Sequence, residues 1–125
     1  MILVDTSVWV DHFRVGDAQL ADLLERGHVV MHPIVVGEIA CGSLRARQAV
    51  LELLRDLPAA AVAESAEVLG FIEHHALHGK GVGYVDAHLL ASVALGPGTR
   101  LWTRDKCLGT AATAMGFAFA ETNAH

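Results

Sequence analysis

Four carboxylates in this 125-residue chain stand where a solvated side chain is not the natural reading: Asp5, Glu38, Asp86 and Asp105. Asp5 ends the apolar run Met1-Ile2-Leu3-Val4, Glu38 interrupts Ile34-Val35-Val36-Gly37-Glu38-Ile39-Ala40, Asp86 opens an apolar segment after a glycine-rich stretch, and Asp105 follows Leu101-Trp102-Thr103-Arg104. A carboxylate among apolar neighbours must face water, pair with a cation or bind a metal, because burying it alone is very costly. Gathered in one cleft, such groups repel one another and cannot all ionise cheaply without a cation. Hard oxygen donors with little His or Cys among them select Mg²⁺ or Mn²⁺ over zinc. A site of that kind suits phosphodiester hydrolysis, in which divalent ions activate water, orient the phosphate and stabilise charge on the attacking and leaving oxygens. Ser7 and Thr103 lie close in sequence to Asp5 and Asp105, and their hydroxyls could orient these acids.

Each of these residues also has a simpler employment. Asp5, Thr6 or Ser7 can cap a following helix. Asp86 suits a helix start, Asp105 a turn, and Thr103 a strand end. The joint occurrence of all four acids is harder to explain this way than any one of them. The other acids, among them Asp17, Asp22, Glu25, Glu52, Asp56, Glu64, Glu67 and Glu73, fall on helix faces that read as solvated.

The elements that must position the four alternate between strand and helix patterns. Ile2-Leu3-Val4 predicts a strand covered on both faces, which puts Asp5 at its carboxyl end, where ligand sites of open α/β sheets lie. Helices are predicted over 7–14 and over 17–26, the second with Leu20, Leu23 and Leu24 inward and Gly27 closing it. A short strand over 28–31 leads to a helix over 33–42, begun by Pro33 and carrying Glu38. An amphipathic helix over 45–55 precedes a strand over 59–63 that its alanines weaken. A helix over 64–78 runs into Gly79-Lys80-Gly81-Val82-Gly83, a flexible loop of the kind that borders sites. The helix over 84–95 stops at Gly96-Pro97-Gly98. A strand over 100–103, a helix over 106–115 and an edge strand over 117–120 complete the chain. This rhythm predicts one domain over residues 1–125, a three-layer α/β/α sandwich with a mainly parallel central sheet of four or five strands.

Composition narrows the function classes. With 53% hydrophobic and 18% charged residues the chain can build a core and is not disordered. A net charge of -5 argues against non-specific coating of nucleic acid, though not against a nuclease whose local field metal ions reverse. Cys41 and Cys107 are too few and too far apart for a CxxC metal site or a disulfide framework, so a reduced setting is expected. No apolar run approaches the roughly 18 residues of a membrane span, and no basic leader precedes the first strand. A soluble cytoplasmic protein is expected. His74 and His78 share a helix face but lack the Glu of the zinc-protease motif, so they read as a solvated helix end.

Asp5-Thr6-Ser7, Glu38 in a helix after Pro33, Asp86 in Tyr84-Val85-Asp86-Ala87, and Thr103-Arg104-Asp105 together resemble the acidic motifs of the PIN-domain ribonucleases, most closely the VapC toxins of bacterial toxin-antitoxin pairs. The likeness runs in order along essentially the whole chain. It implies a Mg²⁺- or Mn²⁺-dependent endoribonuclease held inactive by a cognate antitoxin, usually a homodimer. Carried over, Asp5, Glu38, Asp86 and Asp105 would be the acids, with Asp5 and Asp86 the surest metal ligands and Asp105 the least. Arg14, Arg104 and Lys106, with Arg45, Arg47 and Lys80, could line a track for the RNA backbone, against the simpler reading of solvated charge. Trp9 and Trp102 could stack on bases, but both lie in apolar runs that favour core packing.

Other readings fit less well. A phosphoacceptor receiver domain needs an acidic pair after the first strand, where Asp5 stands alone. A haloacid-type phosphatase needs a second Asp where this chain has Ser7. A metal-dependent adhesion site needs a Ser where Trp9 stands. A PIN-like interaction module that has lost catalysis, or an RNA-processing nuclease without an antitoxin, remains as the alternative.

Overall fold

The computed structural model describes residues 1–122. Its elements are β1 (Ile2–Val4), α1 (Thr6–Val15), α2 (Ala18–Glu25), β2 (Val29–Val30), α3 (Pro33–Ala40), α4 (Arg47–Asp56), α5 (Ser65–His74), α6 (Tyr84–Leu95), β3 (Arg100–Trp102) and α7 (Lys106–Ala114). The strands pair in the order β2-β1-β3, all parallel, with Leu3 opposite Val30 on one side and Leu101 on the other. Leu3 and Val4 point to opposite faces of β1 and both are fully buried, so helices cover the sheet on both sides. The chain moves from β1 to a neighbour on one side and later to a neighbour on the other. The order therefore reverses at the carboxyl end of β1, the crevice where ligands of such sheets bind.

The sheet is narrower than the sequence predicts. Among the described residues it has three strands, and the expected strands over 59–63 and 117–120 are each reduced to one parallel bridge, Met31 with Ala59 and Leu101 with Ala118. On the first edge Met31 N–H donates to the Pro58 carbonyl and Ala60 N–H to Met31, and the pairing stops there. Pro58 has no N–H to extend it, and alanines present little side chain to a neighbouring strand.

The helices follow their apolar periodicity. α2 turns Leu20 into the core and takes its cap from Asp17, whose carboxylate accepts from Leu20 N–H at 3.0 Å. α5 ends at His74, short of the expected 78, because the chain turns through Ala76 in the left-handed region (φ 49°) and returns Leu77 to the core. One contiguous core joins Leu3, Val8, Trp9, Leu20, Val35, Leu89, Leu90, Leu101, Trp102 and Leu108. Both tryptophans are core residues, which removes them as surfaces for stacking on bases.

Candidate active site

Asp5 is delivered by β1 and held by two hydroxyls. It occupies the N-cap position of α1, with its N–H on the Trp102 carbonyl (2.9 Å), yet its carboxylate makes no capping bond. Instead Oδ2 accepts from Ser7 Oγ at 2.8 Å and from Thr103 Oγ1 at 2.7 Å. Each hydroxyl in turn accepts a backbone N–H, Ser7 from Arg104 at 3.0 Å and Thr103 from Asp105 at 3.1 Å. A hydroxyl has one proton, so both must spend it on Asp5, and the 3.5 Å approach of Ser7 to Thr103 is left without a hydrogen to share. Asp5 is only 6% exposed. Oδ1 takes no part in this network.

Glu38 sits on the exposed side of α3, a helix started by Pro33 and capped by His32, whose Nδ1 accepts from Ile34 N–H at 3.0 Å. Its apolar neighbours in sequence turn inward while it faces water. Thr6 Oγ1 donates to Glu38 Oε1 at 2.7 Å, tying α3 to the start of α1. Sequence reasoning treated Thr6 only as a cap. The signal for its role was the run of three polar residues directly after a buried strand.

Asp86 lies in the first turn of α6, half-buried. The loop before it bends through Gly79 and Gly81, both at positive φ, and a Cβ on Gly81 would stand 2.7 Å from Cys107 Sγ. That close approach lays the loop against the first turn of α7 and so brings the beginnings of α6 and α7 together. Burial pushes the Asp86 carboxyl above its ordinary value; Asp5 raises it further, a backbone hydrogen bond from Gly83 opposes this, and Asp105 and Glu38 add to the rise. Asp86 therefore lies within the fields of the other three acids.

Asp105 is the N-cap of α7, where Oδ2 accepts from Leu108 N–H at 2.8 Å. Capping accounts for one of its oxygens, as it does not for Asp5. Among the described residues no three His, Cys, Asp or Glu side chains close in on one point as a preformed metal cage. Asp5, Asp105 and Glu38 are near enough to push the Asp86 carboxyl up, but the four acids stop short of a closed shell. His74 and His78 stay exposed on the end of α5 and beyond it.

Two of the expected RNA contacts are otherwise engaged. Arg14 pairs with Asp11 at 3.2 Å, and Arg104 with Asp11, Asp17 and Glu121 at 2.8, 2.6 and 3.1 Å. The single positive charge of Arg104, expected to meet RNA, is outnumbered by the three carboxylates around it. Lys106 is exposed on the first turn of α7, lining a groove of about 560 Å³ with Thr103, Asp105 and Phe119.

A protein-family model described as the PIN domain matches residues 2–112. Among curated proteins, Ribonuclease VapC32 of Mycobacterium tuberculosis strain H37Rv is 50% identical over 121 residues, covering 97% of this chain and 98% of the relative. The protein of the same name from strain CDC 1551 matches to the same extent.

Proposed function

This chain belongs to the PIN-domain family, and from that premise we propose that it is an endoribonuclease dependent on Mg²⁺ or Mn²⁺, acting as the toxin of a toxin-antitoxin pair. The observation that carries the reading is the gathering of Asp5, Glu38 and Asp105 around the half-buried Asp86, on a chain 50% identical to a protein called a VapC ribonuclease. An acidic cleft in this condition is stabilised by a divalent cation, and its donors are hard oxygens that suit one. Asp5 and Asp86 would hold the ion, with Glu38 and Asp105 beside them. When bound, it would lower the pKa of an attacking water and offset charge on the phosphate.

The chain's own residues do the positioning. Ser7 and Thr103 hold Asp5 by Oδ2, Thr6 holds Glu38 by Oε1, and the Leu108 N–H holds Asp105 by Oδ2, so these three acids would each keep one oxygen for the ion or the substrate. Half-burial of Asp86 keeps the field there strong. Residues 1–125 are read as one domain around one core. RNA is the substrate, a cognate antitoxin the inhibitor and a second copy of the chain the partner in a homodimer. Extensive identity to a protein called a VapC ribonuclease supports the first two of these roles. The proposed place of action is the cytoplasm; among the described residues no helix is long and apolar enough to cross a membrane.

The test is cleavage of single-stranded RNA by purified protein freed of any bound inhibitor, with Mn²⁺ or Mg²⁺ and with chelator. Wild type should cut only with metal, and Asp5→Asn should fold but not cut. RNA left intact by the wild type with both metals would overturn the reading.

A further inference from the structure

Beside the acidic cleft lies a second acidic cluster that has its own cation. Arg104 Nη1 donates to Asp11 Oδ2, Nη2 to Asp17 Oδ2 and Nε to Glu121 Oε2, at 2.8, 2.6 and 3.1 Å. Its guanidinium carbon is 5.5 Å from the centre of the Trp102 ring, and the Trp102 indole N–H shares Glu121 Oε2. The three carboxylates come from α1, from the cap of α2 and from the segment after α7, so one side chain ties three parts of the chain together. These partners hold the guanidinium in its charged form, Asp17 most strongly.

The residues on either side of Arg104 belong to the site. Thr103 donates to Asp5 Oδ2, Asp105 N–H donates to Thr103 Oγ1, and the N–H of Arg104 itself is the donor to Ser7 Oγ. A planar fork loses little entropy per hydrogen bond it makes, and three such bonds tether the segment that bears it to three parts of the chain. The directions in which Thr103 and the two amides leave the chain are then set from outside the cleft. Lysine, a single point charge on a flexible stem, cannot present three donors in one plane.

We propose that Arg104 is a positioning residue: its three-carboxylate clamp fixes segment 103–105 so that the Ser7 and Thr103 hydroxyls converge on Asp5, and it makes no contact with RNA. The inference deepens the nuclease reading and rests on it.

The experiment compares wild type with Arg104→Ala, Arg104→Lys and the double variant Asp17→Asn/Glu121→Gln, which keeps every side chain near its own size. Amide hydrogen exchange at residues 104 and 105, read without RNA or metal, should accelerate in all three relative to neighbouring core amides. In steady-state cleavage kcat should fall about 10–100-fold, the range for partners that orient metal-binding side chains, with KM little changed and Arg104→Lys giving no rescue. RNA binding in an Asp5→Asn background should keep its affinity and salt slope when Arg104 is replaced. Loss of about 0.7 from that slope, one phosphate contact on a single strand, would overturn the proposal. So would unchanged kcat and exchange in the folded double variant, which decides the matter if Arg104→Ala does not fold. If wild type cuts no RNA, the nuclease reading fails, while the exchange data still report on the clamp.

Discussion

Two acidic clusters stand side by side in this molecule, and they have solved the same electrostatic problem in opposite ways. In the cleft, Asp5, Glu38, Asp86 and Asp105 face one another with hydroxyls and backbone N–H groups as their partners, and the Asp86 carboxyl is pushed up. In the clamp, Asp11, Asp17 and Glu121 converge on Arg104. Burial acts to raise the Asp17 carboxyl too, but its hydrogen bond and attraction to Arg104, with the backbone N–H of Leu20, bring it below its ordinary value. The count of acids does not separate a structural cluster from a reactive one. On the nuclease reading, what separates them is whether the chain supplies the cation itself or leaves it to be recruited.

The largest test of this contrast is Asp86→Asn, which removes the charge that suffers most in the cleft. Cleavage should fall by at least the roughly 100-fold at the upper end for groups that only orient metal ligands. Stability of the metal-free protein should move the other way. The folded Asp86 binds its proton more tightly than the ordinary 3.8, so between that value and its raised folded pKa the folded state holds more proton than the unfolded one. Metal-free stability from this group therefore declines as pH rises through that window. For Asp17 the sign is opposite: its contribution is present above 3.8 and is lost as pH falls through the lowered folded pKa. Melting curves in chelator across acidic pH should show Asp86→Asn removing the decline above 3.8 and leaving the loss below it. Saturating Mn²⁺ should stabilise wild type by about 2.7 kcal/mol at 100 times its Kd and the variant by less. A metal-free Asp86→Asn protein less stable than wild type at neutral pH would mean that the cleft carries no strain for a cation to relieve.

Much of the cleft was legible in the sequence, and the clamp was not. Local chemistry explains both. Asp5 and Asp86 are marked by elements a few residues long, a buried strand before one and a glycine-rich loop before the other. α6 falls on residues 84–95 as predicted because Gly83 bounds it at one end and Gly96-Pro97 at the other. The edge strands failed differently: the alanines of 59–63 give little strand signal, whereas Phe117-Ala118-Phe119-Ala120 alternates as a strand does and still pairs at one bridge only. The pairing of Arg104 was not legible because the residues it meets, Asp11 and Asp17, lie 93 and 87 positions away in sequence. Pairing over such spans is decided by how β3 and α1 meet at the sheet's carboxyl edge. Asp105 shows the middle case: its residue type suggested a turn where the structure has the cap of α7, and its place beside Asp86 was expected only from the acids taken as a set.

Within the clamp a smaller substitution separates charge from capping. Asp17 uses Oδ1 to accept from Leu20 N–H and Oδ2 to meet Arg104, so Asp17→Asn keeps the cap and loses the ion pair. Asparagine is as good an N-cap as aspartate, and the loss should be about 1 kcal/mol, as for a partly exposed charged pair. Asp17→Ala should cost about 1 kcal/mol more, the usual value of a cap. Denaturant unfolding at neutral pH measures both. Equal losses would mean that the α2 cap contributes nothing, and no loss in Asp17→Asn would mean that Arg104 does not need this arm.

The smallest effect belongs to Asp11, and its smallness follows from the acid surplus in the clamp. Asp11 meets Arg104 at 2.8 Å and also Arg14 at 3.2 Å, but the Arg14 side chain is 71% exposed and the pair is screened by water. Replacing Asp11 by Asn leaves Arg104 with Asp17 and Glu121, enough negative charge to hold one guanidinium. It also removes one carboxylate from the repulsion among three. The two changes offset, and Asp11→Asn should alter stability by about 0.5 kcal/mol or less, in the range of exposed ion pairs, with cleavage near that of wild type. A cost as large as that of Asp17→Asn would show that Arg104 needs every arm, and that the clamp has no more acid than its cation can use.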